Sequence, residues 1–272
     1  MDVARGYEPE RYLAATLAPE PQRSALIALA AYAGDLARIP ATATQPMLGE
    51  IRLQWWRDSL DVIGKGGRIG SPLADALADA IQAHQLPIPM LAAMSEARAF
   101  DLYDDPMPDQ AALDGYLSKT QAIPFELALR ILGIPAGDAG RLSLPAGRLF
   151  GLTRLLATLP EHLAAGHLPL PLTRLTQVQI APDVLLTGAT NPAVRVLLAG
   201  LTDELAHTFA SLRPQLRALS RRQRIALLPL AVVPAYLKAI QRPQRDPLRD
   251  IAALAPMTRV WRIARTHAFG WF

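Results

Sequence analysis

Three aspartates near the middle of the chain have a spacing that could hold a divalent metal ion. Asp101, Asp104 and Asp105 lie at i, i+3 and i+4, which places carboxylates on one face of a helix, and Mg²⁺ and Ca²⁺ prefer such oxygen ligands. Pro106 and Pro108 follow at once, so these acids belong to a helix end or a turn. The sequence therefore favours a solvated helix terminus over a metal site.

Glu161, His162 and His167 form a second group of ionisable residues. His162 and His167 are five residues apart, whereas two zinc ligands on one helical face are usually four apart. Glu161 and His162 could serve as acid and base, but adjacent residues of a helix point about 100° apart and would not readily share one substrate atom. We therefore predict surface or capping histidines. The remaining sequence offers no phosphate-binding glycine loop, zinc motif or Ser/His/Asp arrangement.

The composition predicts a large apolar core in a reducing compartment. Of the 272 residues, 51% are hydrophobic, which suits one all-helical domain over residues 1–272 or two closely packed lobes, and we expect the single domain. The chain has no cysteine, so disulfides and thiolate metal sites are excluded. Residues 1–6 lack the basic start and apolar stretch of a secretory signal, so we expect a cytoplasmic protein.

Basic residues are concentrated in the last quarter of the chain. Residues 207–272 hold twelve Arg or Lys against two acids, a net charge of +10, so the remainder sums to −6 within a total of +4. Such a patch can face nucleic acid, an anionic membrane or an acidic protein. Nucleic acid is not expected, because no binding module is recognisable and few aromatics interleave with the arginines. Peripheral contact with the inner membrane and a merely solvated basic face are the alternatives.

Apolar residues recur at three and four positions along almost the whole chain, for example Leu26, Leu29, Ala30 and Ala33. This period predicts helices and no strands, and prolines and glycines punctuate it. The predicted helices cover residues 21–38, 46–63, 72–85, 88–103, 109–132, 140–165, 192–218, 221–240 and 256–268. Residues 169–192 and 241–254 are predicted to be irregular connections.

Residues 225–240 are almost wholly apolar. The run is about 16 residues long and contains Pro229 and Pro234, so it falls short of the ~20 residues needed to cross a bilayer. We predict a buried helix. The alternative is a membrane-surface helix, because Arg221, Arg222 and Arg224 precede the run and could meet anionic headgroups, with the aromatic segment 269–272 assisting.

Four blocks of the sequence are distinctive. They read Ala-Gly-Asp-Leu-Ala-Arg-Ile at 33–39 with Ile-Arg-Leu-Gln-Trp-Trp-Arg-Asp at 51–58, Asp-Leu-Tyr at 101–103, Tyr-Leu-Ser-Lys-Thr at 116–120, and the stretch 147–162. In order and separation they resemble the squalene/phytoene synthase family, whose members join two prenyl diphosphates head to head. The resemblance covers most of the chain, and residues 52–58 are its most specific part. It implies an all-α, single-domain helical bundle around a central cavity.

The chemistry of that family requires two facing clusters of carboxylates. They hold Mg²⁺, which neutralises the diphosphate leaving group. Where catalytic members carry the first Asp-rich motif, this chain has Ala37, Arg38 and Ala41, and Asp35 is the only acid nearby. One carboxylate does not make a cluster, so the first half of the implied metal site is missing.

The second cluster is also depleted. Family enzymes carry a pattern like Asn-Ile-Leu-Arg-Asp-Val-x-Glu-Asp, whereas residues 154–162 read Arg-Leu-Leu-Ala-Thr-Leu-Pro-Glu-His. Thr158 and His162 replace the two aspartates, and Arg154 replaces the asparagine and disfavours a cation. Glu161 remains, but Pro160 is expected to disturb the helical turn that would aim it. We therefore expect no bound metal, with Mg²⁺ as the cofactor only if the chain is an enzyme.

Other residues of the implied cavity suggest structural roles. Asp35 and Arg52 are expected to form an ion pair between helices, and Tyr116, which opens the third block, is a further cavity candidate. Trp55 and Trp56 are predicted to be core and cavity wall, since adjacent aromatics face different directions.

The first block, with its two parts at 33–39 and 51–58, resembles a branch of the family that includes an assembly factor for respiratory complex I. The resemblance implies a non-catalytic scaffold near the membrane, with a protein partner in respiratory-complex assembly. The alternatives are a head-to-head prenyl-diphosphate synthase with unusual metal ligands and a carrier of an isoprenoid or other lipid. Fold resemblance alone does not decide among them.

Overall fold

The computed structural model describes residues 2–270, and every regular element in that range is helical. This confirms the predicted all-α fold. The α-helices are α1 (Asp2–Tyr7), α2 (Pro9–Thr16), α3 (Gln22–Thr42), α4 (Pro46–Gly64), α5 (Pro72–His84), α6 (Ile88–Ala97), α7 (Gln110–Leu117), α8 (Ile123–Ile131), α9 (Ala136–Ala157), α10 (Leu159–Ala164), α11 (Leu172–Gln177), α12 (Pro182–Leu186), α13 (Pro192–Ala218), α14 (Arg221–Arg224), α15 (Val233–Ile240) and α16 (Pro256–Phe269). Two 3₁₀ segments, Arg98–Leu102 and Ile225–Val232, and a π-helical turn, Ser118–Ala122, complete the path.

The predicted bounds are most accurate where proline opens a helix. Helices α4, α5, α13 and α16 each begin with proline and lie within one residue of the predicted ends. Proline suits this position because the first turn has no intrahelical acceptor for its missing N–H. The short helices α1, α2, α11 and α12 were not predicted, and the last two lie within a stretch expected to be irregular.

Long predicted helices are subdivided. The helix expected over 109–132 consists of α7, the π-helical turn and α8, and the one expected over 88–103 ends in a 3₁₀ turn. The helix expected over 140–165 begins earlier, at Ala136, and is interrupted at Thr158 between α9 and α10. The interruption lies two residues before Pro160, as the sequence suggested.

Two long helices organise the bundle. Helix α3 packs against α1, α2, α5 and α8, while α9 packs against α8, α13, α15 and the π-helical turn. Each carries one half of a buried aromatic pair. Tyr32 on α3 meets Trp56 edge-on with centroids 4.8 Å apart, and Phe150 on α9 meets Phe125 at 5.6 Å. One continuous apolar core joins both helices, so the two motif-bearing helices hold a fixed relation to each other.

Two glycines let α9 lie directly against the π-helical turn. A Cβ atom on Gly147 would stand 2.4 Å from both the Cα and the backbone N of Ala122. A Cβ on Gly151 would stand 2.7 Å from the side chains of Gln121 and Leu117. The contact at Gly147 is with backbone, which cannot move aside as a side-chain tip can. This close approach brings Gln121 to the centre of the molecule.

The apolar run 225–240 is buried, as predicted, and the alternative of a membrane-surface helix is wrong. All eight residues of Ile225–Val232 are buried inside the bundle. Instead of one regular helix, the run forms a 3₁₀ segment followed by α15, because Pro229 and Pro234 remove backbone donors. By length and composition Arg221–Ile240 could cross a bilayer, but 78% of its most apolar stretch is packed inside the protein. This is typical of a core helix.

We predict that Gly147→Ala destabilises the fold. The added methyl has no room against the Ala122 backbone, so α9 must move away from the π-helical turn, at a cost of about 2 kcal/mol or more in the free energy of unfolding. Gly137→Ala is the matched control on the same helix, because a Cβ there meets nothing within 4 Å. It should raise stability by about 0.5–1 kcal/mol. Urea unfolding followed by circular dichroism measures both, and equal stabilities for the two variants would refute the packing argument.

Candidate functional site

Asp35, the single acid near the first motif on α3, has a structural role. On α3, Arg38 Nη2 donates to Asp35 Oδ1 at 2.6 Å, and Trp56 Nε1 donates to Asp35 Oδ2 at 2.9 Å. Ala37, on the same helix, offers no ligand atom. Both oxygens of the only nearby carboxylate are therefore engaged by a guanidinium and an indole.

The predicted ion pair between Asp35 and Arg52 is wrong. Arg52 is exposed and donates from Nη1 to Thr42 Oγ1 at 3.0 Å. The reason is helical phase, since Leu53 and Trp56 face the core on α4 and turn Arg52 outward. Trp56 is in the core as predicted, but Trp55 is 42% exposed on the outer face of α4 and is not a cavity wall.

Arg154, on the second motif helix, is paired with a carboxylate from the start of the chain. Its Nη1 donates to Glu8 Oε1 at 2.9 Å, and its Nη2 donates to the backbone carbonyl of Tyr7 at 3.0 Å. The guanidinium carbon also lies 5.6 Å from the ring centroid of Phe150. The position that family enzymes give to an asparagine thus holds a fixed positive charge.

The other residues of the second motif do not converge with Arg154. Thr158 sits at the break between α9 and α10, where its hydroxyl donates to the Arg154 carbonyl at 3.0 Å. Glu161 is exposed, so the remaining family acid points to solvent. His162 is half-buried, and burial is the largest cause of the lowered pKa of its ring. A lowered pKa favours the neutral imidazole. The ring is less exposed than a surface histidine, one of the two roles that we predicted, and the capping role stays a prediction.

A buried cluster of charges joins α2, α9 and the π-helical turn. Besides its bond with Arg154, Glu8 accepts from Arg11 Nη1 through Oε2 at 2.5 Å. Arg11 Nη2 also donates to the Gln121 carbonyl at 3.1 Å, and the guanidinium carbon lies 4.7 Å and 5.0 Å from the ring centroids of Phe125 and Phe150. Glu8 and Arg11 are buried side chains. One buried carboxylate is therefore shared by two guanidinium groups.

The electrostatics of this cluster fix Glu8 as an anion. Burial alone would raise the pKa of its carboxyl, but the charges of Arg154 and Arg11 and their hydrogen bonds outweigh that effect and lower it from 4.5 to about 2. Burial lowers the pKa of Arg11, whereas Glu8 overcomes the same effect at Arg154 and raises it. The site is thus built to hold an internal carboxylate.

A second buried carboxylate lies two residues further along. Glu10 Oε1 accepts from the Tyr236 hydroxyl at 3.2 Å, and Arg259 Nε lies 3.3 Å from the same oxygen. Tyr236 belongs to α15 and Arg259 to α16. Because Glu8 and Glu10 serve opposite partners, the short helix α2 ties the centre of the bundle to its C-terminal helices.

Tyr116 takes part in a separate triad. Arg98 Nη1 donates to Asp101 Oδ2 at 2.8 Å and lies 3.0 Å from the Tyr116 hydroxyl, which donates to Asp101 Oδ2 at 2.9 Å. Burial is the largest cause of the raised pKa of Tyr116, and Asp101 adds to it. Asp101, the first of the three clustered aspartates, therefore has a structural role in this triad.

The other two aspartates of that cluster are exposed, as expected of a helix terminus. Asp104 and Asp105 lie in irregular chain after the 3₁₀ turn. Asp104 Oδ1 is 3.5 Å from His167 Nδ1. Asp101 is bonded within its own triad, and among residues 2–270 these aspartates form no group that could hold a metal ion.

Residues 3–8 bridge the two motif helices. A Cβ on Gly34 of α3 would stand 3.1 Å from the Val3 carbonyl and 3.5 Å from Tyr7 Cβ, and the Tyr7 carbonyl is bonded to Arg154 of α9. Gly34 shares a helical face with Ala37 and Arg38, the positions of the first motif. The N-terminal segment therefore lies along the faces where family enzymes present their metal ligands.

The Mg²⁺ that the family implies does not fit these residues. Asp35 is engaged, Glu161 is exposed, and Arg154 brings a positive charge to the second cluster. Among residues 2–270, no group of three or more His, Asp or Glu side chains could hold a metal ion. The space beside Arg11 is about 20 Å³, room for about one water molecule.

Sequence reasoning missed Glu8, Arg11, Glu10 and Gln121. One signal was available, since an arginine at position 154 inside an apolar helix requires a carboxylate partner. Glu8 and Arg11 at i and i+3 on an N-terminal helix are a candidate pair by spacing. The sequence separation of 146 residues between Glu8 and Arg154 left that partner unidentified.

Known proteins resemble the chain over most of its length. The family model described as squalene/phytoene synthase matches residues 4–261. NADH dehydrogenase (ubiquinone) complex I, assembly factor 6, from Bos taurus is 25% identical over 246 residues, 90% of this chain and 74% of that protein. Presqualene diphosphate synthase from Rhodopseudomonas palustris is 27% identical over 202 residues, 74% of this chain and 71% of that protein. The crystal structure of squalene synthase HpnC from Alicyclobacillus acidocaldarius superposes with a TM-score of 0.77 at 20% identity, covering 89% of this chain and 91% of that one, and shows the same fold.

We predict that Glu8→Gln lowers the free energy of unfolding at pH 7 by on the order of 3 kcal/mol, because it leaves the buried guanidinium of Arg11 and the half-buried guanidinium of Arg154 without their shared anion. The folded pKa of Glu8 is depressed to about 2 from 4.5. Its contribution is therefore complete above pH 4.5 and is lost as the pH falls towards 2. The stability difference between wild type and variant should shrink over that window in urea titrations at several pH values.

Glu96→Gln is the control, since Glu96 is an exposed carboxylate on α6. Its stability should follow the wild-type curve at every pH. A Glu8→Gln variant that also runs parallel to wild type between pH 2 and 4.5 would contradict the assigned role of the carboxylate.

Proposed function

The chain belongs to the squalene/phytoene synthase family, and from that premise we propose that it is a non-catalytic member acting as a scaffold or assembly factor near a membrane. The observation that carries the proposal is the pairing of Arg154 with buried Glu8 at the second metal motif. The relatives named complex I assembly factor 6 support a role in respiratory-complex assembly.

Charge is the first argument against catalysis. Departure of a diphosphate anion needs divalent cations bridging two carboxylate clusters. Arg38 and Arg154 stand at those motifs instead, and a guanidinium repels a divalent cation where a carboxylate attracts it. The acid that neutralises Arg154 comes from the protein itself, and its two oxygens are bonded to Arg154 and Arg11. The pair therefore offers no free ligand for Mg²⁺.

Space is the second argument. Ligand sites for molecules of drug size occupy roughly 300–1,000 Å³. The space beside Arg11 is about 20 Å³, and Arg11, Leu29 and Pro229 are among the residues that line it. Two prenyl chains do not fit in this space, which lies among α2, α3, α8 and Ile225–Val232.

A lipid carrier is the second candidate, and one groove favours it. An open groove of about 500 Å³ lies between α13 and α15. Its lining combines apolar Phe209, Pro234 and Leu237 with the cation Lys238. That combination suits a chain with an anionic head. A synthase with unusual ligands is the remaining alternative, supported by the presqualene diphosphate synthase relative.

We predict that the protein releases no pyrophosphate from farnesyl or geranylgeranyl diphosphate in the presence of Mg²⁺, because neither motif can hold the metal. A coupled pyrophosphate assay measures this, with the Rhodopseudomonas palustris relative as the positive control. Turnover that is lost in Asp35→Ala or Glu161→Ala would overturn the non-catalytic proposal. Organic extraction in the same assay reports any isoprenoid that stays bound to the protein, which is the result that the carrier alternative requires.

We predict that deleting the gene in its native host lowers NADH-dependent ubiquinone reduction in isolated membranes, while succinate-dependent respiration is unchanged. An assembly factor limits the amount of one complex and not the electron transport downstream of it. Re-expression of the wild-type chain should restore the activity. Re-expression of the Asp35→Ala variant, which lacks the acid near the first motif, should restore it equally. Unchanged NADH oxidation in the deletion strain would overturn the assembly role.

A further inference from the structure

The outward face of α16 is apolar, unlike a normal surface helix. Met257, Val260 and Trp261 are 74%, 40% and 67% exposed, and Ala264 and Ala268 extend the same stripe at helical spacing. Phe269, at the end of the helix, is 64% exposed. Solvent-facing residues of a helix are ordinarily polar, so a contiguous apolar stripe marks an interaction surface.

The opposite face of α16 fixes this orientation. Ile263 and Thr266 are buried, and Arg259 reaches the buried carboxylate of Glu10. The helix packs against Ile225–Val232 and α2. Rotating the apolar stripe inward would expose Ile263 and remove the partner of Glu10, so the stripe is a permanent feature of the surface.

Arginines surround the stripe. Arg262 and Arg265 lie along one flank of α16, and Arg221 and Arg222 are exposed on the neighbouring α14. Arg224 packs over the C-terminal end of α16, because a Cβ on Gly270 would stand 2.5 Å from its Nη1. The surface therefore combines exposed aromatic and aliphatic groups with a rim of positive charge.

We infer that this surface, defined by Met257, Val260, Trp261 and Phe269 with its arginine rim, docks on the surface of an anionic lipid bilayer. Apolar side chains enter the boundary between headgroups and acyl chains, while the arginines meet anionic headgroups. The contact differs from the one expected from sequence, because residues 225–240 are in the core and α16 takes their place. Of the aromatic segment 269–272, Trp271 and Phe272 lie outside the described residues.

A second exposed apolar face, on α4, shows that exposed apolar residues alone do not define the proposed docking surface. Met47, Ile51 and Trp55 are 68%, 59% and 42% exposed on α4. The charges on that helix are mixed, with Glu50, Asp58 and Asp61 beside Arg52 and Arg57. Three acids and two arginines give α4 a net charge of −1, whereas α16 carries three arginines and no acid, so α4 matches α16 in apolar exposure but not in charge.

The experiment is flotation of the full chain with vesicles. Vesicles of phosphatidylcholine mixed with phosphatidylglycerol should carry the wild-type protein, and vesicles of phosphatidylcholine alone should carry far less of it. The double variant Met257→Ser with Trp261→Ser should weaken binding about tenfold or more. The variant Met47→Ser with Trp55→Ser, which removes the same residue types from α4, should bind like wild type.

Charge is tested on the same vesicles. Arg221→Gln with Arg222→Gln should weaken binding on the order of fivefold for each arginine removed. Lys65→Gln with Lys119→Gln changes the net charge equally at exposed sites away from α16 and should have little effect. Circular dichroism and thermal unfolding establish that each variant is folded.

Three results would overturn the inference: no binding by wild type to anionic vesicles, equal binding to neutral vesicles, or loss of binding in the α4 variant and not in the α16 variant. Light scattering tests the alternative that a second copy of the chain covers this surface. If the wild type is a dimer, and the α16 variant is monomeric but binds vesicles as the wild type does, the surface mediates self-association. None of these readouts involves catalysis or a protein partner. The inference therefore stands or falls independently of the proposed scaffold role.

Discussion

The buried carboxylate of Glu8 is the interaction on which the centre of the molecule depends. It joins α2, the π-helical turn and α9 through two guanidinium groups, one of which is stacked against two phenylalanine rings. A buried ion pair is not stabilising by default, since desolvation costs several kcal/mol for each ion. Here both carboxylate oxygens are bonded and Arg11 also bonds to Gln121, which offsets much of the penalty, while Arg11 Nε has no hydrogen-bond partner among the described residues. Loss of the anion alone would leave two like charges facing each other.

The same cluster sets the charge of the interior between the two motif helices. In a catalytic member the polar interior between the two motif helices must be left open and acidic, ready for metal and diphosphate. In this chain Glu161 is the acid that remains of the second motif, Asp35 is the acid near the first, and Arg154 on α9 is bonded to the carboxylate of Glu8 from the N-terminal segment. Residues 3–8 pack against Gly34 of α3 and bond to Arg154 of α9, so the chain's own backbone and side chains take the place of an external ligand.

Local rules predicted the elements of the fold better than the site. Proline at the first helical position set the start of α4, α5, α13 and α16, and the effect of Pro160 on the second motif helix was also predictable. Burial of 225–240 followed from its apolar content, although its 3₁₀ geometry did not. Each of these signals lies within a few residues of the feature that it controls.

The site depended on contacts between distant residues and on helical phase. Arg52 was assigned to Asp35 because both belong to family motifs, but the phase set by Leu53 and Trp56 turns it to solvent. Glu8 lies 146 residues from Arg154, and no local pattern connects them. The composition predicted that the C-terminal quarter of the chain is basic. It did not predict which face of α16 is exposed, because that depends on which side of the helix is buried. Helix α2 links these two levels: Glu8 at its start bonds to Arg154 of the second motif helix, and Glu10, two residues further on, pairs with Arg259 of α16, whose apolar side faces outward. The residues that form the interior charge cluster are thus continuous with those that orient the surface helix.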